Sequence, residues 1–265
     1  MTSTSAGLHP DSNAAADPII RLVQVHKSFG HMAVLRGINL EFERGRSTVV
    51  IGPSGAGKSV LLKHIVGLTH PDQGEIWFEN QRIDQLDDLD LVGVRQQIGF
   101  LFQMGGLFDS MSVQDNICFP LVEHTKMSKT QRNERCMQAL QMVGLSDIIH
   151  QMPAELSGGQ RKRVALARAI VLKPKVVLYD EPTTGLDPIR AGLINELIVT
   201  LGQQLGITSV IVTHDIASAN KIADRIVMLY DGHIVADGDP DIFAKNKSDL
   251  VQRFIHGRAD QRDPD

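Results

Sequence analysis

Eight consecutive residues constrain this chain more than any others: Gly52, Pro53, Ser54, Gly55, Ala56, Gly57, Lys58 and Ser59. They follow a short β-branched run from Ser47 to Ile51. They lead into Val60, Leu61, Leu62 and Ile65, an apolar stretch at helical spacing. A buried strand that breaks into glycines and continues as a helix leaves little freedom in between. The pattern is G-x-x-x-x-G-K-[ST]. Glycines let the backbone wrap closely enough for its N–H groups to point inward. The helix starting near Lys58 adds the positive end of its dipole. This is a phosphate-binding loop, with Lys58 expected at the β- and γ-phosphates and the Ser59 hydroxyl on Mg²⁺.

A second signal is the run Val176, Val177, Leu178 and Tyr179, which ends in Asp180 and Glu181. A core strand has no structural use for adjacent acids at its tip, because ionised groups there must be paired or solvated. Beside a phosphate loop, Asp180 reads as a magnesium partner acting through water. Glu181 reads as the carboxylate that positions and deprotonates an attacking water. A third signal is Leu156, Ser157, Gly158, Gly159 and Gln160, just before a helical stretch with Val164, Ala165, Leu166 and Ala169. It offers a second anion-binding helix start. Two copies arranged head to tail would let each chain present this second grip to its partner's nucleotide.

The rest of the sequence narrows the class. The chain has 265 residues, 42% of them hydrophobic, enough for one substantial core with a subdomain. Its net charge of -4 argues against a general nucleic-acid binder. No apolar run approaches the roughly 18 residues that a spanning helix needs. Residues 1–18 are rich in Ser, Thr, Ala and Asp without a cationic start, so they read as a disordered leader and not a signal peptide. Cys118 and Cys136 stand far apart and in no CxxC spacing; they are expected to form neither a disulfide framework nor a zinc site, as suits a reducing cytosol.

Strands are expected at Ile19 to Phe29, Ile38 to Phe42, Ser47 to Ile51, Gly74 to Phe78, Ile98 to Phe102, Val176 to Tyr179 and Ser209 to Val212. Between residues 112 and 169 the pattern turns helical. Ser128 with Gln131 forms a capping-box pair, and Cys136, Ala139, Leu140 and Val143 share one face. Asp187 before Pro188 is a good helix start, and Asp231-Gly232 marks a hairpin. No internal repeat is found, so the chain carries one nucleotide unit.

With these residues in this order, the chain from about Ile19 to Ile255 resembles the ATP-binding subunit of an ABC transporter. The resemblance implies an α/β fold: a P-loop NTPase (RecA-like) core, an N-terminal antiparallel β-region and a helical subdomain inserted at about residues 104–169. The nucleotide domain would cover residues 19–256, followed by a charged tail at 257–265. The resemblance implies further site residues. Gln103 matches the Q-loop glutamine that meets magnesium and water. His214 matches the switch histidine at the γ-phosphate, and Asp187 matches the aspartate that faces the dimer partner. Val60 joins the ATP contacts. Phe29 matches the adenine-stacking aromatic, often Tyr in the family, although a core position would also suit it.

Within that family the chain is similar to the ATPase of the Mla (maintenance of lipid asymmetry) phospholipid system and its Mce-type and chloroplast relatives. The residues that suggest it are 58–64 (KSVLLKH), 101–108 (LFQMGGLF), 120–125 (PLVEHT), 161–166 (RKRVAL) and 251–257 (VQRFIHG). Gln160 departs from the Met frequent in Mla-type chains. The implied assembly is a homodimer with two integral-membrane permease subunits, an Mce-domain lipid-binding protein and a STAS-domain subunit, this chain being peripheral on the cytoplasmic side of the inner membrane. ATP and Mg²⁺ are the implied cofactors. An amino-acid importer ATPase is the alternative.

Overall fold

Short β-branched runs that bury both faces become the strands of a central parallel sheet. Residues 17–258 of a computed structural model are described. The expected leader lies outside them except for its last two residues, as does most of the tail. In chain order the elements are β1 (Ile20–Phe29), β2 (Met32–Phe42), β3 (Ser47–Ile51), α1 (Lys58–Ile65), β4 (Gln73–Phe78), β5 (Gln81–Arg82), α2 (Leu91–Arg95) and β6 (Ile98–Leu101). There follow α3 (Val113–His124), α4 (Lys129–Met142), α5 (Gly158–Ile170), β7 (Val176–Asp180), α6 (Pro188–Leu205) and β8 (Thr208–Thr213). The chain closes with α7 (Ile216–Ile222), β9 (Arg225–Tyr230), β10 (His233–Gly238), α8 (Pro240–Ala244) and α9 (Asp249–Ile255).

One sheet has the order β2-β1-β4-β5, and its pairs are antiparallel. The other has the order β10-β9-β3-β8-β7-β6 and is parallel except for its last hairpin, β9–β10. Side chains alternate across the parallel sheet and feed two cores. Val50, Leu178, Val210 and Val212 point to the core shared with the antiparallel sheet and α1. Val49, Ile51, Val177, Tyr179 and Ile211 point to the core shared with the later helices. The fold is therefore the expected α/β arrangement, with α3, α4 and α5 between β6 and β7.

Local chemistry accounts for the boundaries. Ser128 and Gln131 form the capping box at the start of α4. Asp187 accepts bonds from the N–H groups of Ile189 and Arg190, with Pro188 at the first helical position of α6. Asp231 and Gly232 both have positive φ, as a two-residue hairpin requires. β2 starts at Met32, not Ile38, because pairing of Met32 with Phe29 and Ala33 with Ser28 overrides the break in alternation around Gly37.

The cysteine expectation is corrected. Cys118 on α3 and Cys136 on α4 are joined in a disulfide, their Cα atoms 5.7 Å apart. A separation of 18 residues says nothing against contact once α3 and α4 fold back on each other and each turns its cysteine inward. Sequence distance was a poor guide to spatial distance.

Candidate functional site

Parallel pairing brings four strand ends to one edge. Ile51 of β3 is level with Thr213 of β8, Asp180 of β7 with Val212 of β8, and Leu101 of β6 with Tyr179 of β7. The residues just beyond those ends are Gly52, His214, Glu181 and Gln103. Such a carboxyl edge is where open α/β sheets hold ligands.

The glycine loop is shaped by close approach. A Cβ on Gly52 would stand 2.1 Å from the Leu229 carbonyl oxygen, and Gly57, at φ 98, would press one onto Leu35 and Val34 at 3.0 Å. Gly57 is the N-cap of α1, and no side chain caps that helix. Its first N–H groups have no intrahelical acceptor. Lys58 is buried and folds back, its Nζ donating to the carbonyls of Gly52 at 2.8 Å and Pro53 at 2.9 Å. The same nitrogen is 3.9 Å from Glu181 Oε1. Burial lowers the Lys58 pKa, while the charges of Glu181 and Asp180 work in the opposite direction.

The two acids lie across from the loop. Ser59 Oγ donates to Asp180 Oδ1 at 2.8 Å. Burial pushes the Asp180 carboxyl above its ordinary value, aided by the Glu181 charge and opposed by the Ser59 bond and by Lys63 and Lys58. Glu181 has a left-handed backbone, φ 47, unusual for a bulky residue and a mark of local strain. Its carboxylate is well held. Oε1 is 3.0 Å from His214 Nδ1, and Oε2 accepts from Thr184 Oγ1 at 3.2 Å and Thr213 Oγ1 at 3.3 Å. Neither threonine was singled out from sequence; both adjoin motif residues, at the step before His214 and in the Pro-Thr-Thr run after Glu181.

A cleft of about 420 Å³, a size common for small-molecule sites, brings much of this together. Its walls include Ser54, Gly55 and the residues from Gly57 to Val60, together with Gln103, Glu181 and His214. Met32 and Val34 of β2 add an apolar side that sequence reasoning missed, because β2 was read too short. Ala56, within the loop, is buried. Phe29 is 51% exposed, which removes the core reading; it is not among the lining residues, and Lys27 Nζ sits 5.5 Å from its ring centre.

The second helix tip is elsewhere. Ser157, Gly158, Gly159, Gln160 and Asp187 are not among the residues lining the cleft. Ser157 and Gln160 form a reciprocal capping box at the start of α5. A Cβ on Gly158 would meet Leu186 at 3.7 Å, and one on Gly159 would meet Arg190 at 3.6 Å, so the tip lies against the chain's own Leu186–Arg190 segment. Asp187 is exposed and pairs with Arg190 at 3.3 Å. Its carboxyl is held below the usual range, mainly by the Arg190 backbone N–H.

A separate aromatic groove runs between β6, α3 and α5. Phe100 stacks on Phe102 at 4.1 Å, Phe108 meets Phe119 edge-on at 5.0 Å, and the Arg168 guanidinium lies over Phe108. Phe102, Phe108 and Val122 remain at least 41% exposed, an apolar surface that a protein partner could cover. No helix among the described residues is long and apolar enough to cross a membrane.

Residues 35–184 match a family model described as ABC transporter. Over 253 residues the chain is 38% identical to a probable ribonucleotide transport ATP-binding protein of Mycobacterium leprae, covering 96% of this chain and 73% of that one. It is 41% identical over 231 residues to an intermembrane phospholipid transport system ATP-binding protein of Escherichia coli, covering 87% of this chain and 86% of that one. Among solved structures, a dimeric bacterial ABC transporter cassette matches at 35% identity, covering 83% of this chain and 98% of that one, with a TM-score of 0.78.

Proposed function

The chain belongs to the ABC transporter family and is an ATP-binding, ATP-hydrolysing subunit, and from that premise we propose that it works as a homodimer that energises phospholipid movement through a separate membrane permease. The observation that carries the dimer is the separation just described. One phosphate-binding helix start opens on the chain's own cleft, and the other lies outside it.

In this reading ATP sits with its phosphates in the loop from Gly52 to Ser59, and with Ser157, Gly158, Gly159 and Gln160 of the second copy closing over them. Lys58 leaves the loop carbonyls for the β- and γ-phosphates. Phe29 and Val60 lie on the base side, and Asp187 faces the partner. Glu181, held by His214, Thr184 and Thr213, orients the attacking water and takes its proton. His214 contacts the γ-phosphate. A hydroxyl and a carboxylate oxygen 2.8 Å apart suit a hard divalent cation, and burial raises the Asp180 pKa, a cost to the ionised form that a bound cation would offset. Ser59, Asp180 through water, and Gln103 would hold Mg²⁺, which offsets phosphate charge when bound. No group of three or more His, Cys, Asp or Glu placed to hold a metal ion occurs among the described residues, so phosphate oxygens and water would have to supply the other ligands.

Closure is electrostatic. One charged contact at about 4 Å and an effective dielectric near 20 is worth about 4 kcal/mol before desolvation. Loss of the γ-phosphate removes much of that attraction, and the dimer reopens. The aromatic groove is the face offered to the permease.

The lipid assignment rests on the phospholipid transport for which the Escherichia coli relative is named and on the segments 101–108 and 120–125, which border that groove. The Mycobacterium leprae relative, named for ribonucleotide transport, supports small-solute transport as the second reading, of which an amino-acid importer is one form. Affinity purification of the full chain from native membranes distinguishes them. With this chain peripheral on the cytoplasmic side of the inner membrane, an Mce-domain protein, with or without a STAS-domain subunit, is expected to be recovered together with the permease. Recovery of a periplasmic solute-binding protein instead overturns the lipid assignment.

A further inference from the structure

Along α5 the buried positions Gly159, Lys162, Leu166 and Ile170 form one stripe. Three of these suit a core; Lys162 does not. It is 6% exposed, and burial lowers its pKa against the pull of Glu181 and Asp180. An ammonium in such a place costs free energy unless hydrogen bonds replace its water. Its Nζ donates to two main-chain carbonyls of this chain's own cleft edge, that of Gln103 and, at 3.2 Å, that of Glu181.

Both acceptors belong to segments that need holding. Gln103 follows the end of β6 in an exposed turn, and Glu181 has the left-handed backbone noted above. A donor fixed on the Glu181 carbonyl restrains the peptide that sets the direction of its side chain. Lys162 stands five residues beyond Ser157 on the same helix, about 7.5 Å along its axis. The helix start and the two cleft residues are thus joined through one rigid element and one ammonium group.

We propose that Lys162 is a positioning residue for ATP hydrolysis, tying the backbone of Gln103 and Glu181 to α5 so that phosphate capture by Ser157 adjusts the water-activating carboxylate of the same chain. The inference rests on the site assignment above, in which Ser157 grips the nucleotide of the second copy. Each chain therefore reports the occupancy of its partner's site to its own.

The test is ATP turnover by the full chain against ATP concentration, for Lys162→Met, Lys162→Gln and Glu181→Gln. Lys162→Met leaves the buried Glu181 carbonyl and the half-buried Gln103 carbonyl without their charged donor. It is expected to lower kcat about tenfold to a hundredfold with KM changed less than about twofold. Its Hill coefficient should fall to about one. Lys162→Gln, shorter but still a donor, should recover part of kcat at a similar melting temperature. Wild-type kcat and cooperativity in Lys162→Met overturn the proposal. So does a loss that Lys162→Gln fails to restore and that follows a lowered melting temperature. If Lys162→Met does not fold, Lys162→Gln decides: intermediate kcat with reduced cooperativity supports the proposal, and wild-type values overturn it. Glu181→Gln separates the two layers. Normal turnover there sinks the site assignment, whereas an inactive Glu181→Gln beside a normal Lys162→Met sinks this inference alone.

Discussion

The starts of α1 and α5 use the same materials and end in opposite states. Each is a helix N-terminus with glycines at or beside its cap. At α1 the cap is a left-handed glycine with no side-chain acceptor, and the free N–H groups face a cleft whose walls belong to the same chain. At α5 Ser157 and Gln160 satisfy one another, and the tip rests against the segment that begins α6. The first leaves its N–H groups open toward the cleft. At the second the N–H groups of Ser157 and Gln160 are taken by the cap, while the Ser157 hydroxyl accepts there and keeps its own proton to donate. Two similar short motifs can thus be a complete half-site and an incomplete one, and the difference lies in who supplies the opposite wall.

The largest expected effect tests the open tip. Lys58→Ala should weaken ATP binding to the chain about tenfold to a hundredfold by calorimetry, since a buried charged donor is lost. Unchanged affinity would mean that α1 and its glycine loop are not the primary phosphate holder, and the contrast would vanish. Ser157→Ala probes the closed tip. It should cut steady-state phosphate release about tenfold while calorimetric affinity for the first nucleotide stays put. The lost cap, typically about 1 kcal/mol, should lower the melting temperature about 2 °C. If affinity falls as steeply as with Lys58→Ala, the two tips serve one site in one chain.

Asp180→Asn gives the smallest shift. Burial raises the Asp180 pKa, so the folded chain holds that proton more tightly than the unfolded chain, and stability falls as pH rises through the folded pKa. Removing the anion should raise the melting temperature of the nucleotide-free protein by about 2 °C near neutral pH. The gain should disappear once pH drops below the ordinary carboxylate range, about 4. A loss of stability at neutral pH would show that Asp180 contributes more through Ser59 than it costs by burial.

What could be read from the sequence was whatever is encoded locally. Continuous β-branched and apolar runs and glycine punctuation located the strands that end at Gly52, Glu181 and His214. Capping chemistry located the starts of α4 and α6. Non-local features were less legible. Met32 and Val34 join the cleft wall because cross-strand pairing extends β2 past a glycine. The Cys118–Cys136 link depends on two helices folding back on each other. Lys162 did leave a trace: a lysine in an otherwise apolar stripe with a spacing of three to four is an anomaly that helical periodicity can flag. Only the fold tells which carbonyls it serves.

In the sheet order, β8 stands between β3 and β7. The glycine loop and the acidic strand end are therefore two strand spacings apart, about 9.6 Å, a gauge held by main-chain pairing and not by any side chain. Substitutions in the loop or at the acids change what fills that gap, but its width stays as the interposed strand sets it. A lineage can then redraw its helical outworks for a new cargo while the engine's bore remains the same.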